Sequence, residues 1–323
     1  MYEPFKEVIM SLIKKPNELS TKAVVNMLVY GQPGIGKTTL ALSMPKPLMI
    51  DCDGGVHRVQ PHLLSDTVEV DSWETVDEVL KEDLGHYITL VFDTGGKLID
   101  YMTAHILQKY PKMNNGSGGL SLQGYGVRKV MFQNLLARIN TTGKHVLFVA
   151  HEREERDGDL RYVRPEIGGS SGNDLIKELD MVGYMEAIGT KRVIKFNPQE
   201  KFYAKNSLEL PDTMHIPDTS KGNKFLKEIV DFYDGKLAER QKQVEDYERL
   251  VLNFKDVIEG IESAQEANEV IDEIRKANHI WDSKYQCSLM MRAKAKELKL
   301  EFVASTGKYK VEKKTKPKKN EKG

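Results

Sequence analysis

Apolar positions follow two textures along the chain, and the change between them falls near residue 236. From Val24 onward, short apolar runs alternate with helix-length stretches. The runs are 24–30 (VVNMLVY), 47–51 (PLMID), 87–92 (YITLVF) and 145–150 (HVLFVA). Each has the length of a strand buried on both faces, and the intervals leave room for crossover helices. The pattern therefore predicts an α/β fold, a parallel sheet covered by helices. After Gly172 the runs crowd together at 180–188, 191–197 and 201–206, which predicts a hairpin or meander appended to that sheet. Beyond residue 236, Val244, Tyr247, Val251, Phe254, Ile258 and Ile261 recur at spacings of three and four and mark one face of a helix. Ser263 with Glu266 reads as a capping box that opens a second helix. A third is expected from Ser283 to Leu298.

Upstream, Phe5, Val8, Ile9, Leu12 and Ile13 predict a short helix that ends in a linker through Pro16. The expected organisation is an N-terminal helix and linker (1–22), an α/β core (23–235), a small helical subdomain (236–307) and a lysine-rich tail (308–323). The tail holds eight lysines against two glutamates and almost nothing apolar, so it is expected to be disordered.

Composition narrows the possibilities little. Charged residues make up 30% and hydrophobic ones 40%, as in a soluble globular protein. The formal net charge is zero, so the chain as a whole offers no electrostatic case for nucleic acid. Cys52 and Cys287 cannot build a disulfide framework, and neither has metal-ligand spacing. No apolar stretch reaches the length of a membrane span and no leader pattern opens the chain, so no membrane partner is expected and a cytoplasmic location is.

The chemistry begins at residues 31–38. There Gly31, Gln32, Pro33, Gly34, Ile35, Gly36, Lys37 and Thr38 match G-x-x-x-x-G-K-[ST]. Glycines let successive backbone N–H groups converge on phosphate oxygens. Lys37 brings a compact positive charge to the β- and γ-phosphates, Thr38 offers a hydroxyl to Mg²⁺, and Thr39 continues the helix that follows. A strand run before the motif and a helix after it, stopped at Pro45, complete the context for binding ATP with Mg²⁺. Asp93, at the end of YITLVF, is the expected second metal residue. Thr94 follows it, where many hexameric motors carry a catalytic glutamate, so the carboxylate acting on water must lie elsewhere or be missing. In LMIDCDGG, Asp51 and Asp53 both sit at a strand's carboxyl end, where ligands bind in open parallel sheets. Asp53 is the candidate to orient the attacking water. His151, closing KHVLFVA, is placed to touch the γ-phosphate or that water.

Taken in order, VYGQPGIGKTTLALSMPKPLMIDCDGG, ITLVFDT, HVLFVAHE, LDMVGYM and KFYAK resemble the RecA-like core, and within it the phage ATP-binding proteins of single-strand annealing and recombination. The resemblance covers roughly residues 24–206. It implies a catalytic carboxylate at Asp53, a polar switch at His151 and a bacterial host cell as the setting. It further implies an oligomer, ring or filament, with ATP between subunits and a basic residue reaching in from the neighbour. Lys205 fits that last role by position, although Ser207 departs from the Lys-x-Arg pattern of some relatives. Single-stranded DNA is the implied partner, and a single-strand-binding protein a further one.

Two segments suit such DNA. Residues 110–129 combine five glycines with Tyr110, Tyr125, Lys112, Arg128 and Lys129. Residues 152–172 carry Arg153, Arg156, Arg161 and Arg164, preceded or interleaved by Glu152, Glu154, Glu155, Asp157 and Asp159, and then GGSSG at 168–172. Two other functions compete: a P-loop kinase using these arginines as a lid, and a nucleotide-gated adaptor or loader with little turnover.

Overall fold

Alternation along the strands decides the architecture. In β1 (Asn26–Gly31), Leu28 and Tyr30 face one helical layer while Met27 and Val29 face the other, and all four are fully buried. A strand apolar on both faces must be central, and β1 is. The computed structural model describes residues 24–312 apart from 159, 169, 220 and 221. The helix expected within 1–22 and most of the lysine-rich tail lie outside the described residues.

After β1 come α1 (Lys37–Ala41), β2 (Pro47–Asp51), β3 (Thr67–Glu69), α2 (Trp73–Val79), β4 (Thr89–Asp93), α3 (Gly95–Lys109), α4 (Leu122–Thr141) and β5 (His145–Asp157). Then follow β6 (Leu160–Pro165), α5 (Ser170–Glu178), β7 (Met181–Ile188), β8 (Lys191–Lys195), β9 (Lys205–Asn206) and β10 (Thr213–Ile216). The main sheet has the order β10-β8-β7-β1-β5-β4-β2-β3. All pairs from β7 to β3 are parallel, while β8, β9 and β10 add on antiparallel. The sheet is thus the expected one, with two differences. The run 181–188 is an integral strand beside β1, not an appendage, because Val182, Tyr184 and Met185 are buried against both layers. The short β3 and β10 were not foreseen, since three or four residues leave no periodic signal.

One face is covered by α2, α3, α4 and α5, whose Val76, Leu98, Phe132 and Leu175 share one hydrophobic cluster with Phe92 and Phe148. The other is covered by α1 and by Phe225, Leu226, Ile229 and Val230 at the start of α6 (Phe225–Glu259). Residues 22–234 form one compact unit, and a second begins at Gly235.

That second unit holds the remainder of α6, α7 (Ala264–Lys276), α8 (Ser283–Glu297) and the hairpin β11 (Leu300–Val303) with β12 (Lys308–Val311). Ser263 caps α7 by accepting a hydrogen bond from the Glu266 amide at 3.2 Å. The expected disorder from 308 onward does not hold for its first residues. Lys308–Val311 is a strand, because Tyr309 is buried among Ile258, Ile274 and Met291.

Candidate functional site: a phosphate loop with its metal pair

The loop from Gly31 to Thr38 joins β1 to α1 at the carboxyl edge of the parallel strands. Its glycines do different work. Gly36 sits at φ 98°, a left-handed conformation that turns the backbone into α1. Gly31 is needed for space, since a Cβ there would lie 2.5 Å from the Met185 carbonyl oxygen of neighbouring β7. Because α1 has only five residues, the loop amides supply more of the anion cradle than a helix dipole can.

Lys37 is buried, and its ammonium donates to the carbonyls of Gly31 at 2.9 Å and Gln32 at 2.8 Å. Burial lowers its pKa, with Asp93 pulling in the opposite direction. Thr38 Oγ1 donates to Asp93 Oδ2 at 2.5 Å. Burial pushes the Asp93 carboxyl up to about 6, against the Thr38 hydrogen bond and the Lys37 charge. Capping of α3 falls to the next residue, Thr94, whose hydroxyl accepts from the Lys97 amide. Asp93 is therefore left free for the site.

This donor set fits Mg²⁺. It offers a hydroxyl and a carboxylate side by side, and no cluster of three or more His, Cys, Asp or Glu suits a metal among the described residues. The other coordination positions of such an ion would be left for water and phosphate oxygens, the arrangement Mg²⁺ favours. A cavity of about 420 Å³ opens beside them, within the range of small-ligand sites.

The two aspartates of β2 part company. Asp51 turns into the loop that follows, accepting from the amides of Asp53 (3.2 Å), Gly55 (3.2 Å) and Val56 (3.0 Å). It shapes the turn and does not face the nucleotide region as the sequence suggested. Asp53 lines the cavity, with Oδ2 3.9 Å from His151 Nε2. His151 Nδ1 lies 3.4 Å from the Lys37 ammonium, which can only donate. In that contact Nδ1 is turned toward Lys37 and Nε2 toward Asp53. Lys37, Thr38, Asp53, Asp93 and His151 thus come together.

Lys205, expected to serve a neighbouring subunit's site, stands apart from them within its own chain. It pairs with Val182 near the start of β7, and its ammonium is bound to the carbonyls of Lys177 and Leu179. The basic residue that does reach the loop is Arg192, on β8. Its guanidinium lies where a Cβ on Gly36 would meet it at 2.8 Å. No motif marks it; only the β7–β8 hairpin, with Ala187 opposite Arg192, carries it to the carboxyl edge. A second unforeseen group is Glu152, which raises the Lys37 pKa and keeps a buried carboxylate oxygen without a hydrogen-bond partner among the described residues.

Both expected DNA segments differ from flexible loops. In 110–129, Asn115 Oδ1 accepts from the amides of Ser117 (2.9 Å) and Gly119 (3.1 Å), and Tyr125 and Arg128 already lie on α4. Arg128 is buried, donating to Thr103 Oγ1 at 3.0 Å, so it is withdrawn from any phosphate; Tyr110 and Tyr125 remain exposed. Residues 152–165 form the antiparallel hairpin of β5 and β6, laced by Arg153–Glu155 (2.5 Å) and Arg161–Glu154 ion pairs. Ser170, Ser171 and Gly172 of the GGSSG run belong to α5.

No helix among the described residues is long and apolar enough to cross a membrane. No curated protein matches the chain. A family model described as AAA domain matches residues 23–208, the stretch that holds β1 to β9 and every residue gathered around the phosphate loop. With more than half of its 323 residues matched, the chain belongs to the AAA domain family of P-loop ATPases.

Proposed function

We propose that the protein is a Mg²⁺-dependent, RecA-like ATPase that works on single-stranded DNA in phage recombination or replication, annealing or pairing strands. One observation supports the reading above others. Strand β5 runs without a break from His151, beside Lys37 and Asp53, into the hairpin that carries Arg153, Arg156, Arg161 and Arg164. A change at the γ-phosphate therefore has a direct mechanical route to a two-stranded projection that carries four arginines among five acidic residues.

In this reading Lys37 leaves the carbonyls of Gly31 and Gln32 for the β- and γ-phosphates, and Arg192 covers the loop from its own chain. Mg²⁺, held through Thr38 and Asp93, supplies neutralisation of phosphate charge when bound. Asp53 orients the attacking water and takes its proton, and His151 reports the outcome along β5. ATP lies between subunits of a ring or filament, and a single-strand-binding protein is the natural companion on DNA.

The test is steady-state ATP turnover with and without oligonucleotides of several lengths, at low and moderate salt. Stimulation that salt suppresses supports the reading, because phosphate contacts are salt-sensitive. No response at low salt at any length refutes it. A second reading, a nucleotide-gated adaptor with little turnover, draws on Lys205 being held by its own chain's carbonyls. Tight ATP binding with negligible hydrolysis, with or without DNA, selects it.

A further inference from the structure

Nothing in the ATPase reading uses the unit that begins at Gly235, yet the chain's charge asymmetry is concentrated there. Residues 283–323 contain thirteen lysines and arginines against four glutamates, in a chain whose formal net charge is zero. Part of that charge is set by the fold. Asn268 of α7 clamps β12 through both backbone groups of Tyr309, donating to its carbonyl at 3.0 Å and accepting from its amide at 2.7 Å. With β12 pinned and Tyr309 sunk in the core, β11 lies along α8. Arg292 and Lys296 of α8, Lys299 of the turn that follows and Phe302 of β11 then surround one cleft of about 440 Å³.

The cleft has features that a plain solvated face lacks. Arg292, Lys296 and Lys299 are exposed and make no ion pair among the described residues, whereas Lys294 nearby pairs with Glu297. Phe302 is 46% exposed, and its ring is held edge-on against Tyr309 at 5.2 Å. Glu301 and Glu312 also line the cleft, so its charge is not uniform.

We propose that this cleft is a second nucleic-acid site, which takes a single-stranded phosphodiester chain on Arg292, Lys296 and Lys299 and stacks one base on Phe302. Separated cations track a backbone whose phosphates repeat, and any base offers a flat face to an aromatic ring. An acidic peptide satisfies the cations but leaves Phe302 unused. The site needs neither ATP nor the core hairpin, so it stands if the reading of the core fails.

The experiment uses the full chain without nucleotide, with fluorescence anisotropy of labelled oligo-dT and oligo-U 20-mers over a salt series. Each lost phosphate contact on a single strand changes the slope of log K against log salt by about 0.7. The variant Arg292→Gln/Lys296→Gln/Lys299→Gln is expected to flatten that slope by about 2 and to weaken low-salt binding at least tenfold. Phe302→Ala is expected to weaken it about 5- to 100-fold with the slope unchanged. The lysines beyond residue 312 are common to all variants and cancel in the comparison. Unchanged circular dichroism and melting profiles establish that each variant folds. The two oligonucleotides distinguish DNA from RNA as the source of the same chemistry. Wild-type affinity and slope in the triple variant overturn the proposal. So does wild-type binding by Phe302→Ala, or displacement of the oligonucleotide by poly-glutamate as readily as by unlabelled oligo-dT.

Discussion

Replacing Lys37 by methionine removes one ammonium and keeps most of the side chain's length, so its effects can be worked from the geometry. In the nucleotide-free protein, two changes oppose each other. The buried ammonium, whose pKa burial depresses, no longer has to be desolvated, but the carbonyls of Gly31 and Gln32 lose their donor. The net change in stability should stay within about 1–2 kcal/mol, the worth of one or two ordinary hydrogen bonds. Nucleotide binding should suffer far more. A charge-assisted contact is worth about 1.5–3 kcal/mol, so losing the β,γ-phosphate contacts raises the ATP Kd by roughly 100-fold. Differential scanning fluorimetry reads both effects. At a MgATP concentration about 100 times the wild-type Kd, ligand binding stabilises the wild type by about 2.7 kcal/mol. For a unit the size of residues 22–234 that is a rise in Tm of roughly 5–10 °C, and the Lys37→Met protein should rise by about 1 °C. A variant that melts like the wild type alone and still gains the full shift with MgATP would refute the phosphate loop as the ligand's anchor, and the ATPase reading with it.

Four further outcomes are expected. Asp53→Asn should bind MgATP normally and turn over about 10²–10⁴-fold more slowly; normal turnover would move the water-orienting role to Glu152. Arg192→Ala should lower kcat by about 100-fold with ATP affinity nearly unchanged, as steady-state kinetics would show. His145 accepts the Val25 amide at Nδ1 (3.0 Å), and burial lowers its pKa, so the neutral ring is the folded form. Its contribution is complete above the ordinary histidine pKa and is lost as pH falls below it, so urea melts between pH 7 and 5 should destabilise the wild type more than His145→Gln. Gly31→Ala should destabilise the core by about 1–3 kcal/mol in the absence of nucleotide, because the obstacle is the backbone of Met185 rather than a movable side chain.

What the sequence by itself determined is local. Period-two runs with both faces apolar specify central strands, glycines ahead of Gly36-Lys37-Thr38 specify an anion-binding turn, and Ser263 specifies a helix start. Each depends on residues within a few positions of one another, so a linear reading captures it. Tertiary structure alone decided the rest, because the deciding neighbours are far away in the chain. Asp51 and Asp53 are equivalent in sequence, and only the fold of the turn assigns one to backbone amides and the other to the cavity. Arg192 reaches the loop because β7 pairs with β1 and hairpins back, while β9 pairs with the start of β7 and holds Lys205 there. Arg128 in a basic segment became a buried donor once α4 packed beside α3, and Lys308–Val311 in a lysine-rich stretch became a strand once Tyr309 found a core. Periodicity states which residues must be buried; only the packed chain states against what.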